Sequence, residues 1–260
     1  MKIVVCVKQI PDPNLGMHVD PQTKRLRRDP AQSILDPSDE YGLETALRLV
    51  EQHGGEVVAL SMGPESAQDA LRRAMAMGAD RAILLTDPLL AGSDVPATVK
   101  ALAAAIAPEQ PDLIICATES TDAYSGMVPG ALAAVLDLPQ LTFARSVEVE
   151  GSTITVQRDT ESGYQVAQAT LPALMTVTAS IAEPRYPSFK GMMAAKRKPI
   201  DERGIGALGL DQSSVGEAGA HEQVLALEQV HKEKQGRKIV DEGGESAAEI
   251  VAFLKQIGVV

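Results

Sequence analysis

At 260 residues, 45% hydrophobic and 23% charged, the chain has the make-up of one large globular domain, or of one domain with an extension. A formal net charge of −11 leaves no dominant basic surface for nucleic acid or an anionic membrane, and no apolar run approaches the roughly 20 residues that cross a bilayer. Met1-Lys2 leads straight into a strand-like run with no signal peptide, so the expected compartment is the cytoplasm.

Residues 2–9 read as a buried apolar strand. Asp36 then opens a helix, with Pro37 at its first position and Asp39 and Glu40 in its first turn. A side-chain acceptor, a fixed φ and negative charge at the positive end of the dipole all favour a start there. Leu43, Ala46, Leu47 and Val50 share one face, and Gly54-Gly55 ends it. A second strand (56–62), a helix carrying Ala67, Ala70, Leu71 and Ala74 and stopped at Gly78, and a third strand (81–86) follow. Ser93 and Asp94 open a helix through Ala107, a fourth strand covers 113–117, and a polar loop leads to a helix over 128–136. This alternation predicts an α/β fold, a doubly wound parallel sheet with right-handed crossovers. Beyond Pro139, residues 145–149, 153–157, 164–169 and 173–177 read as strands on short turns, an antiparallel strand extension of the same sheet. Residues 201–244 are rich in Gly and charge, with little apolar periodicity, and predict a C-terminal arm. A last helix has Ser246 and Glu249 at capping-box spacing and a stripe of Ala247, Ile250, Val251 and Leu254. The expected organisation is therefore a domain over 1–200 and an arm with helix over 201–260.

Doubly wound sheets bind ligands beyond the carboxyl ends of their strands, where the strand order reverses. The loops that meet there carry Cys6, Val7 and Lys8, then Met62 and Gly63, then Ser120 and Asp122 with Ser125 and Gly126. A helix start after Ser125-Gly126 offers free amides to a phosphate, and Asp122 suits a ribose hydroxyl. The reading is a nucleotide pocket; ordinary caps and turns are the plainer alternative. Cys6 and Cys116 read as free buried thiols, with no spacing that suggests zinc. Gly204-Ile205-Gly206-Ala207-Leu208-Gly209 matches GxGxxG but neither follows a strand nor opens a helix, so it is set aside. The histidines, His18, His53, His221 and His231, have no nucleophile or paired acid beside them, and no catalytic or metal-binding set assembles.

The window 183–198 stands apart. In this acidic chain it holds Arg185, Lys190, Lys196, Arg197 and Lys198 with no acid after Glu183, together with Tyr186, Phe189, Met192 and Met193. Aromatic and Met side chains ringed by cations predict a docking surface for an acidic partner; a solvated loop is the alternative.

Three motifs carry a resemblance. Val5-Cys6-Val7-Lys8-Gln9-Ile10-Pro11-Asp12, Ala74-Met75-Ala76-Met77-Gly78-Ala79-Asp80-Arg81 and the segment from Glu183-Pro184-Arg185-Tyr186 to Lys198 resemble motifs of the electron transfer flavoprotein beta subunit, in a match running nearly end to end. The resemblance implies an adenine-nucleotide-binding fold that binds AMP and scaffolds an alpha subunit holding most of the redox FAD. It implies no catalysis by this chain and electron flow from acyl-CoA and related flavin dehydrogenases toward a quinone oxidoreductase. Matching positions for AMP are Cys6, Asp36, Met62, Ser120, Asp122, Gly126, Met127 and Val128, and Phe189 matches the apolar anchor of a recognition loop over 183–200. Asp36 stands where several members have Asn, and Gly126-Met127-Val128 where they have NQT. Electron-bifurcating relatives bind a second FAD in place of AMP; the loop 122–129 lacks the Gln of their pattern, which favours AMP. Gln165 stands where some members use Glu to steady the flavin domain. A universal-stress-like nucleotide sensor is the remaining alternative.

Overall fold

The computed structural model describes residues 1–226, 238, 240–241 and 243–259. His231 lies outside the described residues. The chain divides into two compact units, Met1–Leu225 and Ala226–Val260.

Strand β1 (Lys2–Cys6) starts the first unit. An excursion follows in which β2 (Gln9–Pro11) pairs antiparallel with β5 (Ser33–Leu35), and between them a small hairpin pairs β3 (Val19–Asp20) with β4 (Arg25–Leu26). Helix α1 (Pro37–His53) begins where expected: the Asp36 carboxylate accepts from the Ser38 amide, and Gly54 at φ +73° ends the helix. Then come β6 (Glu56–Met62), α2 (Gln68–Met77), β7 (Arg81–Leu85), α3 (Val95–Ile106), β8 (Leu113–Ala117) and α4 (Val128–Val135). Strands β9 (Gln140–Glu150), β10 (Thr153–Thr160) and β11 (Gly163–Thr170) form an antiparallel meander, and β12 (Ala173–Val177) follows.

Nine strands make one sheet once β13 (Asp201–Arg203) is added, in the order β11-β10-β9-β12-β8-β1-β6-β7-β13. Its centre, β7-β6-β1-β8-β12, is parallel throughout, which bears out the doubly wound α/β reading. Alternate residues face opposite layers. Ile3 and Val5 meet the core beneath α1 and α2, while Val4 meets the core beneath α3 and α4. Growth reverses between β1 and β8, which puts the switch point there.

Two expectations are corrected. The last of the four strands past Pro139 is not antiparallel: β12 runs parallel to both β8 and β9. All five of its residues are buried, as befits a strand covered on both faces. The compact body also extends past residue 200. Strand β13 adds to the edge of β7, and Val215 is fully buried with Ile205, Leu208 and Leu210 packed nearby. These isolated apolar anchors fix a segment that has no periodicity of its own.

After β12 comes the short helix α5 (Phe189–Ala195), which packs on α2. In the second unit, α6 (Ser246–Gln256) has no fully buried residue, and its Ile250, Val251 and Phe253 are exposed. Its cap position is Glu245 rather than Ser246, so the expected capping box does not form. No described helix is long and apolar enough to cross a membrane.

Candidate functional site

The crevice at the switch point is built by the carboxyl ends of β1 and β8 and the start of α1. The Asp36 carboxylate accepts from the Thr121 amide (2.7 Å), the Thr121 hydroxyl (2.6 Å) and the Ser38 amide (3.0 Å), tying the loop after β8 to the helix. The Lys8 amide donates to Asp39 Oδ2 (2.7 Å) and the Asp36 amide to the Lys8 carbonyl (2.9 Å). Lys8 Nζ bonds Asp122 Oδ1 (2.7 Å) and Ser120 Oγ (3.3 Å), while the Arg28 guanidinium bonds Asp122 Oδ2. The structure therefore brings Lys8, Asp36, Ser120 and Asp122 together. Asp122 is spoken for: its side chain is 0% exposed and both oxygens face cations, so a ribose hydroxyl has no free access to it.

Electrostatics follow from this packing. Burial pushes the Asp39 carboxyl well above the usual range, and neighbouring Asp36 and Asp122 add to the effect against the pull of the Lys8 amide. Burial also acts to raise Asp122, but Lys8 and Arg28 outweigh it and hold that carboxyl below its ordinary value. The Cys116 thiol is pushed up by a hydrogen bond to Cys6 and by burial, so it is an inert core group. Cys6 is half-buried and Val7 buried at the crevice floor; Met62 and Gly63 lie half-buried at the end of β6.

The loop after β8 folds back on itself through bonds from the Ala123 and Tyr124 amides to the Ser120 carbonyl. Ser125, Gly126 and Met127 are exposed, and Val128 begins α4. No side chain caps this helix, but Pro129 has no N–H and the Ala131 amide bonds the Met127 carbonyl (3.0 Å), which leaves the Val128 and Gly130 amides as its free donors among the described residues. Gly126 sits at φ +61°, a conformation glycine adopts without strain. Lys8 and Arg28, both partly exposed, are donors of the kind that fits a phosphate, whereas a Glu119 carboxylate oxygen lies beside Gly126 ahead of α4.

Sequence reasoning missed Arg28. The signal available was Lys24-Arg25-Leu26-Arg27-Arg28, a basic run in an acidic chain, but nothing local says that Arg28 reaches a loop 94 residues away.

The second candidate region is α5 and its approach. Phe189 is 76% exposed and Tyr186 89%, and Met192 and Met193 are also open. Ser188 caps the helix through the Gly191 amide (3.0 Å). Arg72 bonds the carbonyls of Ala195 (2.6 Å) and Lys198 from below. A Cβ placed on Gly191 would sit 2.5 Å from the Ala76 carbonyl oxygen, so only glycine lets α5 approach α2 this closely. Lys190, Lys196 and Arg197 point out, whereas two of the basic residues are used inward. Arg185 forks across Glu44 (2.7 Å) and Glu51 (2.6 Å), and Lys198 Nζ bonds the Ala79 carbonyl (3.0 Å). Burial pushes Glu44 up, but hydrogen bonds from Arg185 and Arg48 prevail and keep it below the ordinary range.

The electron transfer flavoprotein domain matches residues 25–205. Over 258 residues the chain is 41% identical to the electron transfer flavoprotein subunit beta of Mycobacterium tuberculosis, covering 97% of each. It is 40% identical to the subunit of the same name from Thermoanaerobacterium thermosaccharolyticum over 237 residues, 91% of each. The chain belongs to the electron transfer flavoprotein beta-subunit family. It is also 40% identical over 208 residues to protein FixA of Azorhizobium caulinodans, covering 77% of this chain and 74% of that one. Membership places the chain in electron transport, in association with a flavin and an alpha subunit.

The remaining sequence candidates lie elsewhere in this flavoprotein subunit. The GxGxxG stretch does follow a strand, β13, contrary to expectation, yet it opens no helix; the Ile205 amide is taken by the Asp87 carboxylate (3.2 Å), which would repel a phosphate. His18, His53 and His221 are exposed. Gln165 is exposed on β11, opposite Arg158. Among the described residues no group of three or more His, Cys, Asp and Glu is arranged for a metal.

Proposed function

We propose that this chain is the non-catalytic beta subunit of a heterodimeric carrier that takes electrons from acyl-CoA and related flavin dehydrogenases and passes them toward a quinone oxidoreductase. The FAD that carries the electrons is held mainly by the alpha subunit. This chain scaffolds that subunit, with the C-terminal segment and α6 as the arm that meets it, and binds AMP in the switch-point crevice. The cytoplasm is the compartment that goes with this role.

One observation carries the docking part. Phe189, Met192 and Met193 stand open on a helix fastened by Arg72, Arg185, Lys198 and the close seat at Gly191. A rigid platform loses little freedom on binding, and an exposed aromatic on it is the pattern of an interface anchor. Transient electron-transfer contacts are small, so one anchor suffices to dominate them. The AMP part is supported by two partly exposed cations, Lys8 and Arg28, at the switch point of the sheet.

The test is to purify the chain with its alpha subunit, release the bound nucleotides and weigh them. One AMP and one FAD per heterodimer is the expected result. Two FAD and no AMP would replace this reading with that of a bifurcating carrier, and a stable monomer with no flavin partner would replace it with a nucleotide sensor. Reduction of the heterodimer by an acyl-CoA dehydrogenase then checks the donor.

A further inference from the structure

We propose that Arg28 binds the phosphate of the crevice nucleotide and that Asp122 is its positioning residue. The proposal rests on the nucleotide reading of that crevice and adds the residue that would recognise the charged end of the ligand.

Asp122 is fully covered and already has a counter-ion in Lys8, 2.7 Å away. A second cation on the same carboxylate is more than neutrality requires. Both cations are partly open, Lys8 at 35% and Arg28 at 38%. A guanidinium carries five N–H donors. The described residues give Arg28 a partner for one terminal nitrogen alone, Asp122. Among the described residues its other donors have no hydrogen-bonded acceptor, and the side chain is 38% exposed. Such a half-used fork matches the oxygens of a phosphate, the group that Arg recognises with two parallel bonds.

Arg28 is also held in place from behind. It follows the β3–β4 hairpin, whose Arg25 pairs with Glu217 (2.9 Å) and whose Lys24 bonds the Leu225 (2.7 Å) and Val224 (3.1 Å) carbonyls. The guanidinium thus arrives at the crevice on a braced element. Asp36 does not compete for it, since its oxygens are taken by Thr121 and Ser38.

The test uses the full chain co-purified with its alpha subunit, stripped of nucleotide and titrated calorimetrically with AMP and with adenosine. Arg28→Ala should weaken AMP by about ten-fold or more, the usual worth of a hydrogen bond to a charged group, and leave adenosine within about two-fold. Arg28→Lys should recover part of the AMP loss. An equal loss for AMP and adenosine would make Arg28 merely structural and overturn the proposal, as would AMP binding that Arg28→Ala leaves unchanged. Adenosine binding by the variants shows that they fold. A wild-type heterodimer that binds neither ligand overturns the nucleotide reading itself, an outcome separate from failure of Arg28 alone.

Discussion

Replacing Phe189 with Ala tests the docking surface most directly. A buried Phe removes about 150–250 Å² from water, and Phe189 stands 76% exposed. If docking covers about 150 Å² of it, the gain is about 4 kcal/mol at 25 cal/mol per Å². Ordering the ring, together with the contact an Ala still makes, leaves about 2 kcal/mol, the size of an interface hot spot. That corresponds to about a thirty-fold rise in the concentration of carrier needed for half-maximal reduction by the dehydrogenase. Because the ring contributes little to the folded chain, the thermal midpoint and flavin content should not move. The assay is steady-state reduction of the heterodimer by an acyl-CoA dehydrogenase over a range of carrier concentrations. An unchanged KM would remove Phe189 from the docking surface. A fall in the midpoint would mean that the ring serves the fold instead.

Four other outcomes are expected. Gly191→Ala should unseat α5, since its Cβ meets the Ala76 carbonyl oxygen at 2.5 Å; a loss of about 1–3 kcal/mol in urea unfolding, with weaker dehydrogenase coupling, checks it. Arg185→Ala leaves Glu44, 3% exposed, with Arg48 as its one remaining cation, and should cost about 2 kcal/mol and speed proteolysis within 183–198. The depressed Glu44 contributes stability that is complete above 4.5 and lost as pH falls through its folded value, whereas the raised Asp39 contributes stability that is lost as pH rises from 3.8 through its folded value. Asp39→Asn, which keeps an acceptor for the Lys8 amide, should therefore raise the midpoint at neutral pH and flatten its decline from acid to neutral; a lower midpoint at pH 7 would refute the burial argument. Raising salt should slow reduction by the dehydrogenase, because Lys190, Lys196 and Arg197 steer the encounter through a screened field, and a rate independent of salt would exclude them.

How much of this was legible depended on the range of the interaction. Helix α1 could be read because its causes are adjacent: Asp36 caps it, Pro37 starts it and Gly54 stops it. The central strands could be read from short apolar runs, and their alternation with helices fixed the parallel order. Strand β12 was harder, because Ala173-Leu174-Met175-Thr176-Val177 is equally apolar in either direction, and direction is decided by what lies on both sides. Residues 201–225 were misjudged for a related reason. Val215 stands among polar groups and a glycine in the chain, and only the apolar cluster that buries it reveals its worth. Lys8 and Asp122 were found through topology, since both sit at strand ends; Arg28 sits on a hairpin whose reach no periodicity encodes.

The basic window shows the same limit in a form that bears on function. Composition put five cations in one class, yet the fold separates them. Arg185 and Lys198 turn inward to Glu44, Glu51 and the Ala79 carbonyl, and their burial of donors is what holds α5 at a fixed angle. Lys190, Lys196 and Arg197 stay in solvent on α5 and just past its end, and the ring of Phe189 is exposed at its start. In the proposed docking role the two groups would do different work: the inward pair would stiffen the platform and so lower the entropy lost on docking, while the outward three would act at a distance before contact. An acidic chain gains from concentrating its positive charge in this way, because its own negative surface turns acidic partners away everywhere else. In that role, orientation at the encounter would come from the contrast between the cations exposed along α5 and the acidic rest of the chain, and the exposed ring of Phe189 would need only to hold what that contrast had already aligned.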